Sequence, residues 1–403
     1  MKKIIYLFVF ICTLAVLSSC SEKSDPDYDS QNFTSIYDND QFSAATTPID
    51  FKQTADGGYI VLGERRLDGP NFRGVYLLKT DKFGKFEKAL EMDVQYVHPV
   101  GDLINVGNLY YFFCMNASDQ QAQLVSVDAA TLTATVIPVT GGITYPSAAS
   151  QDGNSLLLLS FNHVDKLSMV SRHDVSGALS GMDEPRKFSI GAGDEVDEPI
   201  MNHFLRTGKR FPFQVGRIPG GLYYFNGFEN YTFSLVFTDL ADDGADGVVN
   251  GQQENGGFSA VYPLGGNKFA ASRFNFGDNY FLPNVNLSTT GTSMSELMGG
   301  NTLPELVSNA PVRIIKAVVK KKNVVVYASD TRSKQIGLFF YDEATGKFLG
   351  SRYLGFSNPF EVAGVMQTTD NGLAVCGTTY LAGRFPRICI IKLSEEESGT
   401  VIK

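Results

Sequence analysis

The chain has 403 residues, 43% hydrophobic and 19% charged, with 40 Gly, 30 Phe, 18 Tyr and no Trp. That apolar fraction excludes a disordered chain, and Gly near one residue in ten, against roughly 7% on average, requires many tight turns. A formal net charge of −9 excludes a nucleic-acid partner, which needs a basic surface, and the missing Trp excludes repeat families whose motif contains it.

Lys2 and Lys3 precede an apolar run from Ile4 to Leu17, too short for a membrane-spanning helix and suited to the core of a signal peptide. It ends in Leu17-Ser18-Ser19-Cys20, which resembles the bacterial lipobox, where Cys is acylated before cleavage. The alternative is an ordinary secretory signal with an incidental Cys. The resemblance implies a signal peptide over residues 1–19, lipidation of Cys20 and attachment to a membrane through the lipid. Loss of Lys2 and Lys3 leaves 32 Lys and Arg against 43 Asp and Glu, a net charge of −11. Residues 20–44, opening with the acidic Ser21-Glu22-Lys23-Ser24-Asp25, lack apolar periodicity and are expected to form a flexible tether with a reach of about 25–30 Å. The acidic stretch is similar in composition to that of surface-exposed lipoproteins of Bacteroidota, which implies an outer-membrane location facing outward.

From residue 45 to 403 a repeat is expected. Thr54-Ala55-Asp56-Gly57-Gly58-Tyr59-Ile60-Val61-Leu62-Gly63 returns as Thr368-Thr369-Asp370-Asn371-Gly372-Leu373-Ala374-Val375-Cys376-Gly377. Each block leads to an apolar run closed by Lys, at Lys79 and Lys392. The Asp-Gly-Gly or Asp-Asn-Gly supplies the positive φ of a hairpin turn, and the run after it has strand length and composition. Weaker copies begin at Leu109, Ser155, Leu222, Lys268 and Val324, so that successive intervals are 50, 46, 67, 46, 56 and 49 residues. Entering strands are expected at residues 49–52, 312–315 and 361–365, and an outer strand at 85–90. Periods of this size with short strands and Gly turns predict an all-β, seven-bladed β-propeller of four-stranded antiparallel blades, with no ordinary-length helix. A β-helix or a pair of sandwiches is the alternative architecture.

The pattern Thr-x-Asp-Gly-Gly-Tyr-Ile-Val-x-Gly, with Lys79, Asp81 and Gly84 following, resembles repeats of secreted β-propellers abundant in Bacteroidota. It is clear in the first and last copies and faint between them. With the lipobox in front, the resemblance implies an accessory surface lipoprotein of the kind that accompanies TonB-dependent nutrient importers.

Catalytic motifs are missing. Gly191-Ala192-Gly193 lacks the third Gly and the helix of a dinucleotide fingerprint, and Asp242-Asp243-Gly244-Ala245-Asp246-Gly247 fails the calcium-loop pattern. Neighbours on a strand point to opposite faces, which separates His173 from Asp174, and His163-Val164-Asp165 reads as a solvated loop or strand edge, so neither is expected to form a catalytic pair. Asp194, Glu195, Asp197 and Glu198 are expected to solvate a long loop. Cys114, Cys376 and Cys389 remain after processing; a Cys376–Cys389 bridge across a hairpin is open, with two buried thiols favoured. No metal site, cofactor or catalytic residue is assigned.

In a propeller, loops between second and third strands and loops between blades gather at one end of the channel. Those segments here carry Arg65, Arg66, Arg73, Tyr96, His98, Tyr231, Arg273, Tyr280, Arg332, Tyr380, Arg384 and Arg387. Aromatics and arginines on loops are common recognition anchors, and arginines gathered on an acidic protein predict a locally positive face suited to an anion or acidic peptide. Phe274 and Phe276 either tuck under their loops or join that face. The ligand class, whether small molecule, peptide or glycan, stays open. Two functions follow: a non-catalytic binding or scaffolding lipoprotein, or a propeller hydrolase acting on extracellular glycan.

Overall fold

The computed structural model describes residues 31–38, 45–68, 71–175, 184–191, 194–381 and 385–402. Cys20, Arg384 and the signal segment 1–19 lie outside them. After β1 (Phe33–Tyr37) come β2 (Thr46–Gln53), β3 (Tyr59–Arg65), β4 (Gly74–Thr80) and β5 (Phe86–Glu91), then β6 (Tyr96–Val106), β7 (Leu109–Asn116), β8 (Ala122–Asp128) and β9 (Thr133–Pro138). Next are β10 (Pro146–Asp152), β11 (Ser155–Asn162), β12 (Leu167–Asp174), β13 (Arg186–Ser189) and helix α1 (Asp194–Leu205). The chain continues through β14 (Gln214–Arg217), β15 (Tyr223–Glu229), β16 (Thr232–Thr238) and β17 (Gly247–Asn250). Then follow β18 (Gly256–Gly265), β19 (Lys268–Asn275), β20 (Asp278–Asn286), β21 (Gly291–Met294) and β22 (Asn301–Thr302). It ends with β23 (Val312–Val319), β24 (Lys322–Asp330), β25 (Ile336–Asp342), β26 (Phe348–Leu354), β27 (Phe360–Gln367), β28 (Leu373–Leu381), β29 (Phe385–Leu393) and the short α2 (Glu395–Gly399).

The protein is an all-β propeller of antiparallel four-stranded blades. Hydrogen bonding groups the strands into six sheets, not the seven separate ones expected. Five hold one four-stranded unit each, one of them extended by β21 in parallel to β17. The sixth is eight-stranded, because β5 pairs with β4 only from Tyr76 onward and leaves Gly74 open for a pair with Val97 of β6. Every copy counted in the sequence falls on the second strand of a four-stranded unit, and the predicted entering strands fall on β2, β23 and β27.

Packing explains the strand composition. β4 is buried at every position because its sheet is covered on both faces, whereas the outer β5 is almost wholly exposed. Apolar clusters fill each gap between neighbouring units. Ile60, Leu77 and Phe112 meet between β3–β4 and β7, and Phe113 and Leu158 meet between β7 and β11. The ring closes where Val61 and Leu78 pack on Ala374 and Ile390.

The repeated motif is a buried clasp. In the first copy Gly57 takes φ 84° and Asp56 Oδ1 accepts from Thr54 Oγ1 at 2.5 Å and the Gly58 amide at 2.9 Å. Lys79, 2% exposed, reaches back under this turn and donates to Asp56 Oδ2 at 2.8 Å and to the Thr80 carbonyl at 2.8 Å. The last copy repeats it: Asn371 takes φ 63°, and Lys392 donates to both carboxylate oxygens of Asp370 at 2.8 and 3.0 Å. A Cβ on Gly58 would lie 2.1 Å from the Thr80 carbonyl oxygen, and one on Gly372 2.3 Å from that of Leu393. Gly58 and Gly372 are therefore required by close approach, and the positions before them, Gly57 and Asn371, by a positive φ.

Two expectations are corrected and one open alternative is settled. The segment 20–44 is not tether throughout, since β1 pairs with β29 from Phe33↔Lys392 to Tyr37↔Ile388 and supplies the outer strand of the last sheet. Arg387, 2% exposed, donates to Asp38 Oδ1 at 2.8 Å, Tyr37 donates to the Gly84 carbonyl at 2.9 Å, and the Phe33 ring fills the space a side chain at Gly84 would need. A helix of 12 residues does exist and follows the Gly191–Gly193 stretch. A Cys376–Cys389 bridge is ruled out by register: Cys376 faces Ile390 while Cys389 faces Gly377, so the thiols point to opposite faces and enter different clusters. Cys114, Cys376 and Cys389 are free and buried. Among the described residues, no helix is long and apolar enough to cross a membrane.

Candidate binding site in the central channel

The innermost strand of every unit faces one central cavity of about 570 Å³. Asp50 and Lys52 come from β2, residues 99–102 from β6, 147–151 from β10, 214–217 from β14, 261–263 from β18, 313–315 from β23, and Gly364 and Val365 from β27. The antiparallel registers Thr46↔Arg65, Tyr96↔Asn116, Gln214↔Asn226, Val312↔Ser329 and Phe360↔Thr379 bring the first-strand starts and second-strand ends to one rim. That rim carries the loops expected to bind.

Helix α1 lies in a connection at the same rim. Val196, Ile200 and Phe204 seat it on Phe161, Phe211, Phe228, Phe233 and Phe274, so the Phe excess that the composition shows is partly spent here. His203 in the last turn of α1 and His98 have ring centroids 6.3 Å apart, and both line the channel. Burial, reinforced by the Arg210 charge, pushes His98 down to about 3 and His203 well below the usual imidazole range. Both are neutral, and the Phe211 amide donates to His203 Nδ1 at 2.8 Å, which fixes the proton on Nε2.

The predicted site residues divide into two groups. His98 lines the channel; the half-buried Arg73 is tied to it, the His98 amide donating to the Arg73 carbonyl at 2.7 Å, and the exposed Arg66 lies within electrostatic range of Arg73. The others hold loops in place around the rim. Arg65 donates to the Met92 carbonyl at 3.3 Å, and Arg332 to that of Leu306 at 3.0 Å. Arg273, 4% exposed, donates to the Gly299 carbonyl and lies 3.8 Å from the centroid of Tyr280. Tyr380 donates to Glu361 at 2.8 Å, Arg387 belongs to the β1 closure, and Tyr96 packs half-buried on the cluster around Phe112. Tyr231 stays 47% exposed with its ring against Gly191. Phe274 is buried and Phe276 is 71% exposed; Val94, Val164 and Phe356 are further exposed apolar side chains in loops of this rim.

The arginines that lie near one another are not the ones expected from loop position. Arg273 and Arg387 are consumed by buried contacts, and the arginines that gather at the mouth are Arg66 and Arg73 with Arg206 and Arg210 from the end of α1 and the turn after it. Arg210 donates to the His203 carbonyl at 2.8 Å, and Arg206 pairs with Glu64, a buried carboxylate that also accepts from Thr47 at 2.9 Å. Burial first, then repulsion from a neighbouring arginine, pushes Arg206 down to about 9 and Arg210 to about 10, and lowers Arg73 as well. All remain charged at neutral pH.

Farther along the channel wall, Asp50 Oδ2 accepts from Lys52 Nζ at 2.8 Å and from the Leu103 amide at 2.8 Å. Burial alone would lower Lys52, but Asp50 and Asp102 outweigh it and hold the ammonium above its usual value. Asp102 opens onto the lumen while protein surrounds it; burial and the Asp50 charge raise its carboxyl, against Lys52 and Arg313. These four charges were invisible to spacing, since they come from three distant strands.

The His-carboxylate neighbours also differ. His163 pairs through Nδ1 with Asp197 of α1 at 2.9 Å, not with Asp165, and Asp197 is buried instead of solvating a loop. His173 meets Ser171 Oγ at 2.9 Å against the Phe113 ring. Asp243 accepts the Lys187 amide at 2.9 Å, a turn contact. Among the described residues no group of His, Cys, Asp and Glu is arranged to hold a metal.

No protein-family model matches the chain, and no curated protein matches it. Among solved structures, the β-propeller domain of the Trilobed protease from Pyrococcus furiosus, which has an open velcro topology, is 10% identical with a TM-score of 0.49, covering 87% of this chain and 94% of that one. NanB sialidase from Streptococcus pneumoniae, as its K499G mutant, is 10% identical with a TM-score of 0.48 over 91% of this chain and 71% of that one. Prolyl oligopeptidase B from Galerina marginata is 10% identical with a TM-score of 0.44 over 83% of this chain, which spans 46% of that enzyme. Identities this low do not bear on activity.

Proposed function

We propose that the protein is an outer-membrane lipoprotein, attached through Cys20 and displayed outward, that binds a ligand at the mouth of its channel without transforming it. The observation that carries the binding reading is the cavity of about 570 Å³, walled by polar backbone and charged side chains, with exposed Val164, Tyr231, Phe276 and Phe356 on loops of the same rim. The lipobox at Leu17–Cys20 supports the anchor, and the resemblance to Bacteroidota propellers supports a place beside a TonB-dependent importer. In this reading the ring counts seven blades, the eight-stranded sheet dividing at its one linking pair, Gly74↔Val97. Globomycin-sensitive processing and loss of membrane attachment in Cys20→Ala test the anchor, protease shaving of whole cells tests the orientation, and co-purification from gently solubilised membranes tests the importer. A protein that stays intact until the outer membrane is broken, and always purifies alone, refutes the surface accessory.

The second reading, a glycan hydrolase, is favoured by one observation: Asp50 and Asp102 share the channel in different environments, one ion-paired and the other raised. Hydrolysis of a glycan panel that disappears in Asp102→Asn would establish it over the binding reading.

A further inference from the structure

The mouth of the channel collects positive charge, and among the described residues no carboxylate pairs with Arg66, Arg73 or Arg210. Arg73 is joined to His98 through the backbone, Arg210 to His203 through its guanidinium, and the two imidazoles lie 6.3 Å apart beside the cavity. Arg66 sits close enough to Arg73, and Arg73 to Arg210, for each to disfavour the other's charge. Glu64 neutralises Arg206 and is already saturated by it and by Thr47. Neither histidine adds charge, and the side chains of Arg66 and Arg73 donate no hydrogen bond within the described residues.

Such an arrangement is costly unless something pays for it. Three like charges at a partly desolvated rim raise the energy of the empty state, and Arg210 is held there by a single carbonyl contact and the aromatic seat of α1. Planar guanidiniums with free N–H forks match the paired oxygens of carboxylate and phosphate, and their alignment ahead of binding spares much of the ordering cost. The overall acidity of the chain makes this mouth a local exception that would draw an anion toward it.

Building on the channel reading above, we propose that Arg66, Arg73 and Arg210 form a binding site for a small oxyanion carrying two or more negative charges, a phosphate-bearing or polycarboxylate compound, held at the α1-covered mouth with its remainder in the channel. His203, with its proton on Nε2, would act there as a neutral donor and not as a competing charge. The sequence offered half of this site in Arg66 and Arg73; the other half rode on the insertion that stretches one repeat interval to 67 residues.

Calorimetric titration of the full-length chain in detergent, with pyrophosphate and with citrate at matched ionic strength, tests the site and separates phosphate from polycarboxylate chemistry. The expected result is saturable binding of at least one of them at one equivalent, weakened about tenfold or more in Arg66→Ala, Arg73→Ala and Arg210→Ala, and unchanged in Lys268→Ala at the far end of β19. Arg66 is exposed and holds no loop through its side chain, so its variant tests the charge even if Arg210→Ala misfolds. No binding of either anion, or binding indifferent to Arg66→Ala and Arg73→Ala, overturns the proposal. A neutral oligosaccharide that binds wild type and all three arginine variants equally keeps the channel as a binding site and overturns the anion assignment alone.

Discussion

The clasp at Lys79 makes a quantitative prediction. Asp56→Asn keeps the Oδ1 acceptor for Thr54 and Gly58 and removes only the charge opposite Lys79. Stripping one partner from a fully buried pair costs about 3–5 kcal/mol. Here the Asp56 side chain is 57% exposed and Glu87 still reaches Lys79 at 3.2 Å, so screening reduces the expected loss to about 1–2 kcal/mol. Lys79→Met removes the buried cation and leaves a solvated carboxylate, costing about 0–1 kcal/mol. In that background Asp56→Asn should cost almost nothing, giving a coupling of about 1–2 kcal/mol. With no Trp in the chain, urea unfolding is best followed by far-ultraviolet circular dichroism. Acid supplies an internal control. Burial alone would raise Asp56, but the hydrogen bonds from Lys79, Thr54 and Gly58 prevail and hold it at about 2. A depressed carboxylate stabilises fully above its unfolded value near 3.8 and loses that contribution as pH falls through about 2, so wild type and Asp56→Asn should converge there. Additivity of the two single changes within about 0.5 kcal/mol would refute the clasp.

Three further outcomes are expected. Gly58→Ala and Gly372→Ala should each destabilise by more than about 1 kcal/mol, because the new methyl meets a backbone carbonyl, with urea midpoints as the measure. All three thiols should resist an aromatic disulfide reagent in the native protein and react after denaturation, since burial raises Cys389 to about 12 and pushes Cys114 and Cys376 up as well; an intact-mass loss of two hydrogens would contradict the register. His173 is buried and lowered to about 4, so the unfolded chain takes up a proton below about 6.5 that the folded chain refuses. Stability therefore falls with pH from about 6.5 to about 4, and His173→Asn should flatten that slope by about 1.4 kcal/mol per pH unit; an unchanged slope would place the proton elsewhere.

The repeat was legible because its chemistry is local. A turn Asp, a Gly with a carbonyl against its Cα, and a Lys one strand later all act within 24 residues, so the motif survives in the first and last copies, where Lys79 and Lys392 are buried. What escaped was non-local. β1 carries Phe33-Thr34-Ser35-Ile36-Tyr37, five residues with too little apolar periodicity to separate from an acidic tail, and it becomes a strand only because β29 offers an open edge. Likewise α1 opens with Asp-Glu-Val-Asp-Glu-Pro, a composition that reads as a solvated loop, with Pro199 inside the helix. It holds because Phe161, Phe211 and Phe228, contributed from outside the helix, bury its apolar face.

The site follows the same logic in reverse. The most regular parts of the sequence encode clasps and interfaces that any ring of this kind must build, and Arg66 and Arg73 stand outside them, in the loop between β3 and β4. The chemistry gathers where the repeat is broken, in the 67-residue interval whose helix brings Arg206 and Arg210 to Arg66 and Arg73. Among the arginines picked by loop position, Arg66 and Arg73 belong to the proposed site, whereas the guanidinium of Arg273 binds the Gly299 carbonyl and that of Arg387 pairs with Asp38. In a ring of interchangeable units, the irregular interval is therefore the better guide to ligand chemistry, because a departure from the repeat has no structural requirement of the ring to satisfy.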